Sequence, residues 1–294
     1  MEIYHEDGLD FRKDERGDFV INPNERALRQ IKDTNIRNVE LNAALGVVPG
    51  NGSLYFLKEF DFIEGISIVG NHKMDIKSIH YLSNLRLLSL PGEFDEAVDF
   101  SHFEKLNYCQ IAWNSKIKNI QNLKFLNTLF LYKYKKQDLA EFRELTSLKK
   151  FCILQSTIRS LNGLENFALL EYLELAYLRN LESLNGIQSL KKLRNLDLTN
   201  TPKIDSLTSL ESLKCLEALS IYGARNIQSI SSLKDLKELK FIHISGNTNV
   251  IDGDMSAMLG REDASIGTRK HYSHTSEEID KFNGTVRHKQ TWDY

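Results

Sequence analysis

Apolar and polar positions repeat along most of the chain. From residue 36 onward an apolar residue is followed three places later by an apolar-x-apolar triplet, and the pattern restarts every 20 to 27 residues. The first triplet residue falls at Val39, Ile66, Leu88, Cys109, Leu129, Phe151, Leu173, Leu196, Leu219 and Ile242. The last four units share one frame: "LEYLELAYLRNLESL", "LRNLDLTNTPKIDSL", "LEALSIYGARNIQSI" and "LKFIHISGNTNVIDG". Alternation at period two is the spacing of a β-strand with one buried face. The spacing that follows, as in Ile204, Leu207, Leu210 and Leu213, fits a short helix or 3₁₀ turn with one buried stripe.

A unit this small cannot bury its own apolar side, so units must stack. Stacking predicts an α/β fold: a right-handed solenoid with a parallel β-sheet on its concave face and short helices or 3₁₀ turns on its convex face. At ~4.8 Å per strand, ten strands make a sheet roughly 45 Å long. Over residues 36–250, about ten repeats, the chain resembles the leucine-rich repeat family. The unit "LKKFCILQSTIRSLNGLENFALL" is most similar to the bacterial internalin-like subclass of 22–23-residue repeats. The resemblance implies the solenoid fold and says little about function. It also implies an Asn after each strand that hydrogen-bonds the turn, and here that position holds Asn only at Asn71, Asn114 and Asn247. Thr201 and Ser156 are expected to substitute for it, and Tyr134, Leu178 and Ala224 are not.

An open solenoid exposes core at both ends, so caps are expected. Residues 1–35 form the predicted N-terminal cap, with a short amphipathic helix in "NERALRQIKD". Residues 251–294 form the predicted C-terminal cap and tail. There Thr275 and Glu278 have capping-box spacing and Asn283-Gly284 is a stop signal. The closing "VRHKQTWDY" offers Val286, Trp292 and Tyr294 as apolar anchors.

Composition narrows the function classes. In 294 residues, 41% hydrophobic and 27% charged content fits a folded, soluble protein. Lys plus Arg is 38 and Asp plus Glu is 40, a net charge of −2 that predicts no basic face for nucleic acid. No apolar run approaches the ~18 residues of a membrane span. The charged start "MEIYHEDGLDFRKDERGDF" lacks the apolar core of a secretory signal. Three cysteines form no spaced framework, which fits a reducing compartment. The expectation is a cytoplasmic protein.

Candidate chemistry is sparse. His271, His274 and His288 lack the set of ligands a zinc site needs and read as cap histidines. Asp252, Asp254, Ser256 and Asp263 are spaced like a calcium loop but lack its glycine and glutamate, so a turn is expected. No phosphate-binding glycine loop or G-x-S-x-G is present. Cys109 takes a core position and Cys215 reads as packing. Cys152 alone points to the inner face, with His243 in its column four repeats away, roughly 19 Å at strand spacing. That is too far for a catalytic pair. No enzyme, cofactor or metal is expected.

The repeat also fixes which side chains face inward: those one before, one after, three after and four after the first triplet residue. In these columns Tyr108, Trp113, Phe130, Tyr132, Leu154, Tyr172 and Tyr177 cluster over four consecutive repeats. Beside them Glu174 and Asp197 make an acidic patch. Aromatic residues suit strands, but no packing rule places a group of them on a solvated face, and interfaces are enriched in Tyr and Trp. The earlier repeats present Gly, Ser, Pro and Ala, a permissive surface. The reading is a non-catalytic protein-binding scaffold whose partner is another protein with an apolar ridge beside Lys or Arg. By fold-level analogy it suits a toxin-neutralising immunity protein of the bacterial cytoplasm. The alternatives are a regulatory or targeting subunit of an endogenous enzyme, or an internalin-like adhesin.

Overall fold

The structure is a computed structural model that describes residues 1–46, 48, 53–70 and 75–284. It contains two compact units, Met1–Lys133 and Tyr134–Tyr294.

The first unit contains β1 (Glu2–Glu6), β2 (Leu9–Asp14), β3 (Gly17–Ile21), α1 (Glu25–Ile31), β4 (Asn38–Asn42), β5 (Gly65–Val69), β6 (Leu87–Leu90), β7 (Tyr108–Ala112) and β8 (Thr128–Tyr132). Strands β1 to β3 are antiparallel, and β3 to β8 pair in parallel in chain order. The expected helix is α1, which Asn24 caps by accepting the Ala27 N–H at 2.9 Å. The three strands before it were not expected. They form because Phe11, Phe19, Val20 and Ile21 are buried on either side of the "DERG" turn.

The second unit contains β9 (Lys150–Leu154), β10 (Tyr172–Ala176), β11 (Asn195–Thr199), β12 (Ala218–Tyr222), β13 (Asn226–Ile227), β14 (Phe241–Ser245), β15 (Asn249–Val250), β16 (Asp263–Ile266) and α2 (Ser276–Asn283). Its sheet is parallel in the order β9-β10-β11-β12-β14-β16, and β13 pairs with β15 beside it.

Register follows the repeat. Val39, Ile66, Leu88, Cys109 and Leu129 are successive partners in the first unit. In the second, Phe151, Leu173, Leu196, Leu219 and Ile242 are. All ten are buried. Burial stabilises each such side chain by roughly 1.5–3 kcal/mol, and a one-residue slip would turn the whole set to the opposite face. Crossovers between the parallel strands run through 3₁₀ turns such as Ile120–Asn122, Leu164–Asn166 and Ile187–Ser189. Parallel crossovers of this kind are right-handed.

The expected turn-bonding side chains divide. Asn114 accepts the Lys116 N–H at 2.8 Å and donates to the Phe94 carbonyl at 3.0 Å. Ser156 donates to the Tyr134 carbonyl at 2.7 Å, as its substitute role requires. The buried Thr201 hydroxyl has no hydrogen-bond partner. In the last repeat Thr248, not Asn247, bonds the turn by accepting the Ala224 N–H at 3.1 Å. Asn71 lies outside the described residues, while Tyr134, Leu178 and Ala224 are core.

The sheet continues past residue 250 into β16, whose "REDASI" keeps the repeat frame with Arg261 in the place of leucine. The buried guanidinium donates to the carbonyls of Leu233 (2.7 Å), Leu236 (2.7 Å), Leu239 (2.8 Å) and Ala257 (3.0 Å), closing the last coil. Helix α2 follows with its capping box: Thr275 Oγ1 accepts the Glu278 N–H, and Glu278 Oε2 accepts the Thr275 N–H at 2.7 Å. Asn283 ties it back by accepting from Gly260 N–H at 2.7 Å and donating to the Met258 carbonyl at 3.0 Å. Val286, Trp292 and Tyr294 lie outside the described residues.

Candidate functional site

In the second unit strands β9 to β12 and β14 are each followed by one residue with positive φ: Gln155, Tyr177, Asn200, Gly223 and Gly246. The N–H groups of the first four carry the ladder one step further, as Tyr177 N–H does to the Thr199 carbonyl at 2.7 Å. Asn and Gly take this left-handed conformation readily, whereas a residue with a bulky side chain pays about 1–2 kcal/mol. Tyr177 has φ +58° and is 47% exposed.

Two of the other predicted residues here are joined, with Lys150 beside them. Tyr172 donates to Asp197 Oδ2 at 2.6 Å, and Lys150 Nζ lies 4.6 Å from the Tyr172 ring centroid. Burial pushes the Tyr172 phenol up, and Asp197 adds to it. Glu174 is the register partner of both Asp197 and Cys152. Leu154 is half-buried. Tyr222 (48% exposed) and Phe241 (38%) belong to the same inward columns and were left out of the predicted set. Their signal was present in the repeat; the requirement for adjacent aromatic repeats discarded it.

In the first unit Tyr108 and Phe130 sit with ring centroids 5.8 Å apart. A polar ladder crosses β6, β7 and β8. Ser89 donates to Gln110 Oε1 at 2.9 Å, and Gln110 Nε2 donates to the Tyr132 hydroxyl at 2.9 Å. Trp113 is half-buried and its backbone N–H donates to the Tyr132 carbonyl at 2.8 Å.

The early repeats of this unit are not the permissive surface expected of them. Glu40, Ser67 and Ser89 are buried. Arg12, from β2, donates Nε to Glu40 Oε2 at 2.5 Å and also bonds Asp14. Arg16, at the hairpin tip, forks onto Asp14 (2.7 and 3.0 Å), reaches Ser89 at 3.5 Å and lies 6.0 Å from the Tyr108 ring centroid. Burial lowers the Arg12 pKa and the Glu40 charge opposes that shift. Small and polar residues occur here because the hairpin covers them.

The reactive side chains are disarmed. Cys152 takes the inward-column register but is buried rather than presented, and burial, followed by the Glu174 charge, pushes its thiol up. A thiol held protonated is a poor nucleophile. Cys109 is buried and likewise pushed up. Cys215, expected as packing, is exposed. His271 Nε2 bonds the Val250 carbonyl at 2.9 Å and His274 Nδ1 bonds Ser273 Oγ at 2.9 Å; His288 lies outside the described residues. Asp254, of the calcium-like stretch, holds Ser256 N–H and Lys234 Nζ, each at 2.9 Å, in a turn. Among the described residues no group of three or more His, Cys, Asp or Glu is placed to hold a metal, and no helix is long and apolar enough to cross a membrane.

Parallel strands in register at one apolar position, joined by 3₁₀ turns, are also the arrangement of known repeat structures. A leucine-rich repeat protein of Leptospira interrogans matches with a TM-score of 0.62 at 20% identity, over 78% of this chain and 59% of that one. This chain has the leucine-rich repeat fold. Internalin C2 of Listeria monocytogenes matches with a TM-score of 0.51 at 21% identity, over 61% of this chain and 79% of that one. The leucine-rich repeat chain described here therefore spans less than two thirds of the Leptospira structure, and at these identities the likeness is of fold alone. No protein-family model and no curated protein sequence matches it.

Proposed function

We propose that this leucine-rich repeat chain is a non-catalytic scaffold that holds another protein on the concave sheet face. The observation that carries the reading is Tyr177, an exposed aromatic residue on a left-handed backbone position that Gln155 takes in the preceding repeat and Asn200, Gly223 and Gly246 take in the next ones. Residues held in costly conformations cluster at functional sites, and exposed tyrosines are favoured anchors at interfaces. On the second unit Tyr177, Tyr172 and Leu154 would take the partner's apolar ridge, and Glu174 with Asp197 its Lys or Arg. Tyr108, Trp113, Phe130 and Tyr132 are the corresponding residues of the first unit. The finer form is a dedicated inhibitor, such as an immunity protein that neutralises a toxin in the bacterial cytoplasm; it rests on fold-level analogy.

Tyr177→Asn tests the reading, because Asn suits the backbone and removes the ring. The variant should melt at the same temperature as wild type or higher. A protein captured stoichiometrically from bacterial lysate by wild type should be bound at least tenfold more weakly by Tyr177→Asn. Equal capture by wild type, Tyr177→Asn and Trp113→Ala/Tyr132→Ala would remove the concave face from consideration.

A further inference from the structure

On the C-terminal side of the second unit's strands lies an open hollow of about 670 Å³. Arg225, Arg269 and Lys270 line it, with no carboxylate among its lining residues. Nor do the described residues include an acid within 4.0 Å of any of these three cations. Some cations of the same unit are paired between coils: Arg194 with Glu217 at 2.7 Å, Lys240 with Glu262 at 2.8 Å, and Lys234 with Asp254 at 2.9 Å. Unpaired like charges around one cavity repel one another, and an anion between them turns that repulsion into attraction.

The hollow is held in shape before any ligand arrives. Arg225 has φ +64° and leads into β13, which pairs with β15 through Asn226 and Asn249. The loop after β16 that carries Arg269 and Lys270 is pinned to the preceding coil at several points, and Arg269 itself donates one guanidinium N–H to the Thr248 carbonyl at 3.4 Å. His271 Nε2 bonds the Val250 carbonyl at 2.9 Å, the Tyr272 hydroxyl accepts the Val250 N–H at 2.9 Å, and Ser273 N–H donates to the Gly253 carbonyl at 2.8 Å. A Cβ on Gly253 would lie 2.3 Å from the His271 carbonyl oxygen, so glycine is what lets the loop approach this closely.

We propose that this hollow binds a phosphate-class oxyanion: inorganic phosphate, pyrophosphate or the phosphate end of a small phosphorylated ligand. Two guanidinium forks, an ammonium, the amides of Asn226 and Asn247 and the Thr268 hydroxyl present more donors than the two oxygens of a single carboxylate engage. A phosphate offers three terminal oxygens and nearly two negative charges, and guanidinium forks match it two bonds at a time. The site is independent of the concave face and of any protein held there.

Calorimetric titration of the full chain with pyrophosphate and with inorganic phosphate, at fixed ionic strength in chloride, tests the assignment. Saturable one-to-one binding of pyrophosphate is expected, weakened at least tenfold in Arg225→Gln/Arg269→Gln and unchanged in Lys237→Gln, an exposed cation elsewhere. The double variant must keep the wild-type melting temperature; if it does not, Lys270→Gln alone is read instead, with weakening still expected. Tyr177→Asn should bind pyrophosphate as wild type does, which separates this site from the proposed concave face. Absence of saturable binding, or equal binding by the charge-removed variants, overturns the proposal. Tighter binding of hexaglutamate than of pyrophosphate also overturns it, and assigns the hollow to an acidic protein segment.

Discussion

In the first unit, Arg12 and Arg16 of the N-terminal hairpin bond Glu40 and Ser89, and Glu40, Ser67 and Ser89 are buried. In the second unit the same inward columns carry Tyr177, Tyr222 and Phe241, each more than a third exposed. One repeat thus supports two opposite treatments of its face. Where chain lies over the sheet, inward residues are polar and the charged one, Glu40, is paired with Arg12, because a buried charge without a partner is costly. Where the described residues leave the face exposed, inward residues are released from packing and can be chosen for what they touch.

The comparison is broken most severely by removing the arginine that closes each unit. Arg12→Ala strands Glu40 without its ion pair under the hairpin, a loss of about 3–5 kcal/mol for a buried pair. Arg261→Ala removes donors from four backbone carbonyls and should cost a similar, roughly 3–4 kcal/mol. Coils contact only their neighbours, so hydrogen exchange should quicken locally. Arg12→Ala should expose amides of β2 to β6 and Arg261→Ala those of β12 to β16. Uniform acceleration throughout both units in either variant would show that they open as one.

A glycine from each unit gives the next effect. Gly163 has φ +106°, and a Cβ there would stand 2.5 Å from the carbonyl carbon and oxygen of Leu139. Gly8, in the first unit's β1–β2 turn, has φ +78° with nothing within 4 Å of the added atom. Gly163→Ala therefore combines backbone strain with a clash against main chain and should cost roughly 2–3 kcal/mol, whereas Gly8→Ala should cost about 1. Urea midpoints of the two variants check the difference. Equal losses would mean that the coil at Leu139 yields freely.

The same contrast explains what could be read in advance. The ten strand positions were legible because each needs an apolar residue at period two, and register then follows from stacking alike against alike. Strand β16 was hidden because Arg261 occupies a leucine's place, and a charged residue there signals the end of a repeat unless its carbonyl partners are known. The hairpin was hidden within a run of charges, although Phe11 and Phe19 flank a turn-forming "DERG". Periodicity gave the direction of Cys152, Glu40 and Ser67 but not their coverage. Coverage depends on contacts such as Arg16 to Ser89, 73 residues apart, that no local pattern encodes. Tyr177 was legible as an inward aromatic; its left-handed backbone became meaningful only beside Asn200 and Gly223.

The smallest effect is an acid one, and it separates the units by the chemistry that holds one carboxylate in each. The Asn119 side chain, then Ser101, holds Asp99 in the first unit down from 3.8 to about 2. In the second unit Ser256, then Lys234, holds Asp254 below its ordinary value. A carboxyl depressed by folding contributes stability that is complete above the unfolded value near 4 and drains as pH falls through the folded one. The urea-midpoint difference between wild type and Asp99→Asn should therefore stay constant from pH 7 to about 5 and shrink between about pH 4 and 2. Asp99's principal partners are uncharged, whereas Lys234 lies 2.9 Å from Asp254. Raising salt to about 1 M should leave the Asp99→Asn difference in place and reduce that of Asp254→Asn. A difference for Asp99→Asn that stays flat below pH 4 would mean that Asn119 holds the neutral carboxyl as well as the charged one, and that this hydrogen bond does not depend on ionisation.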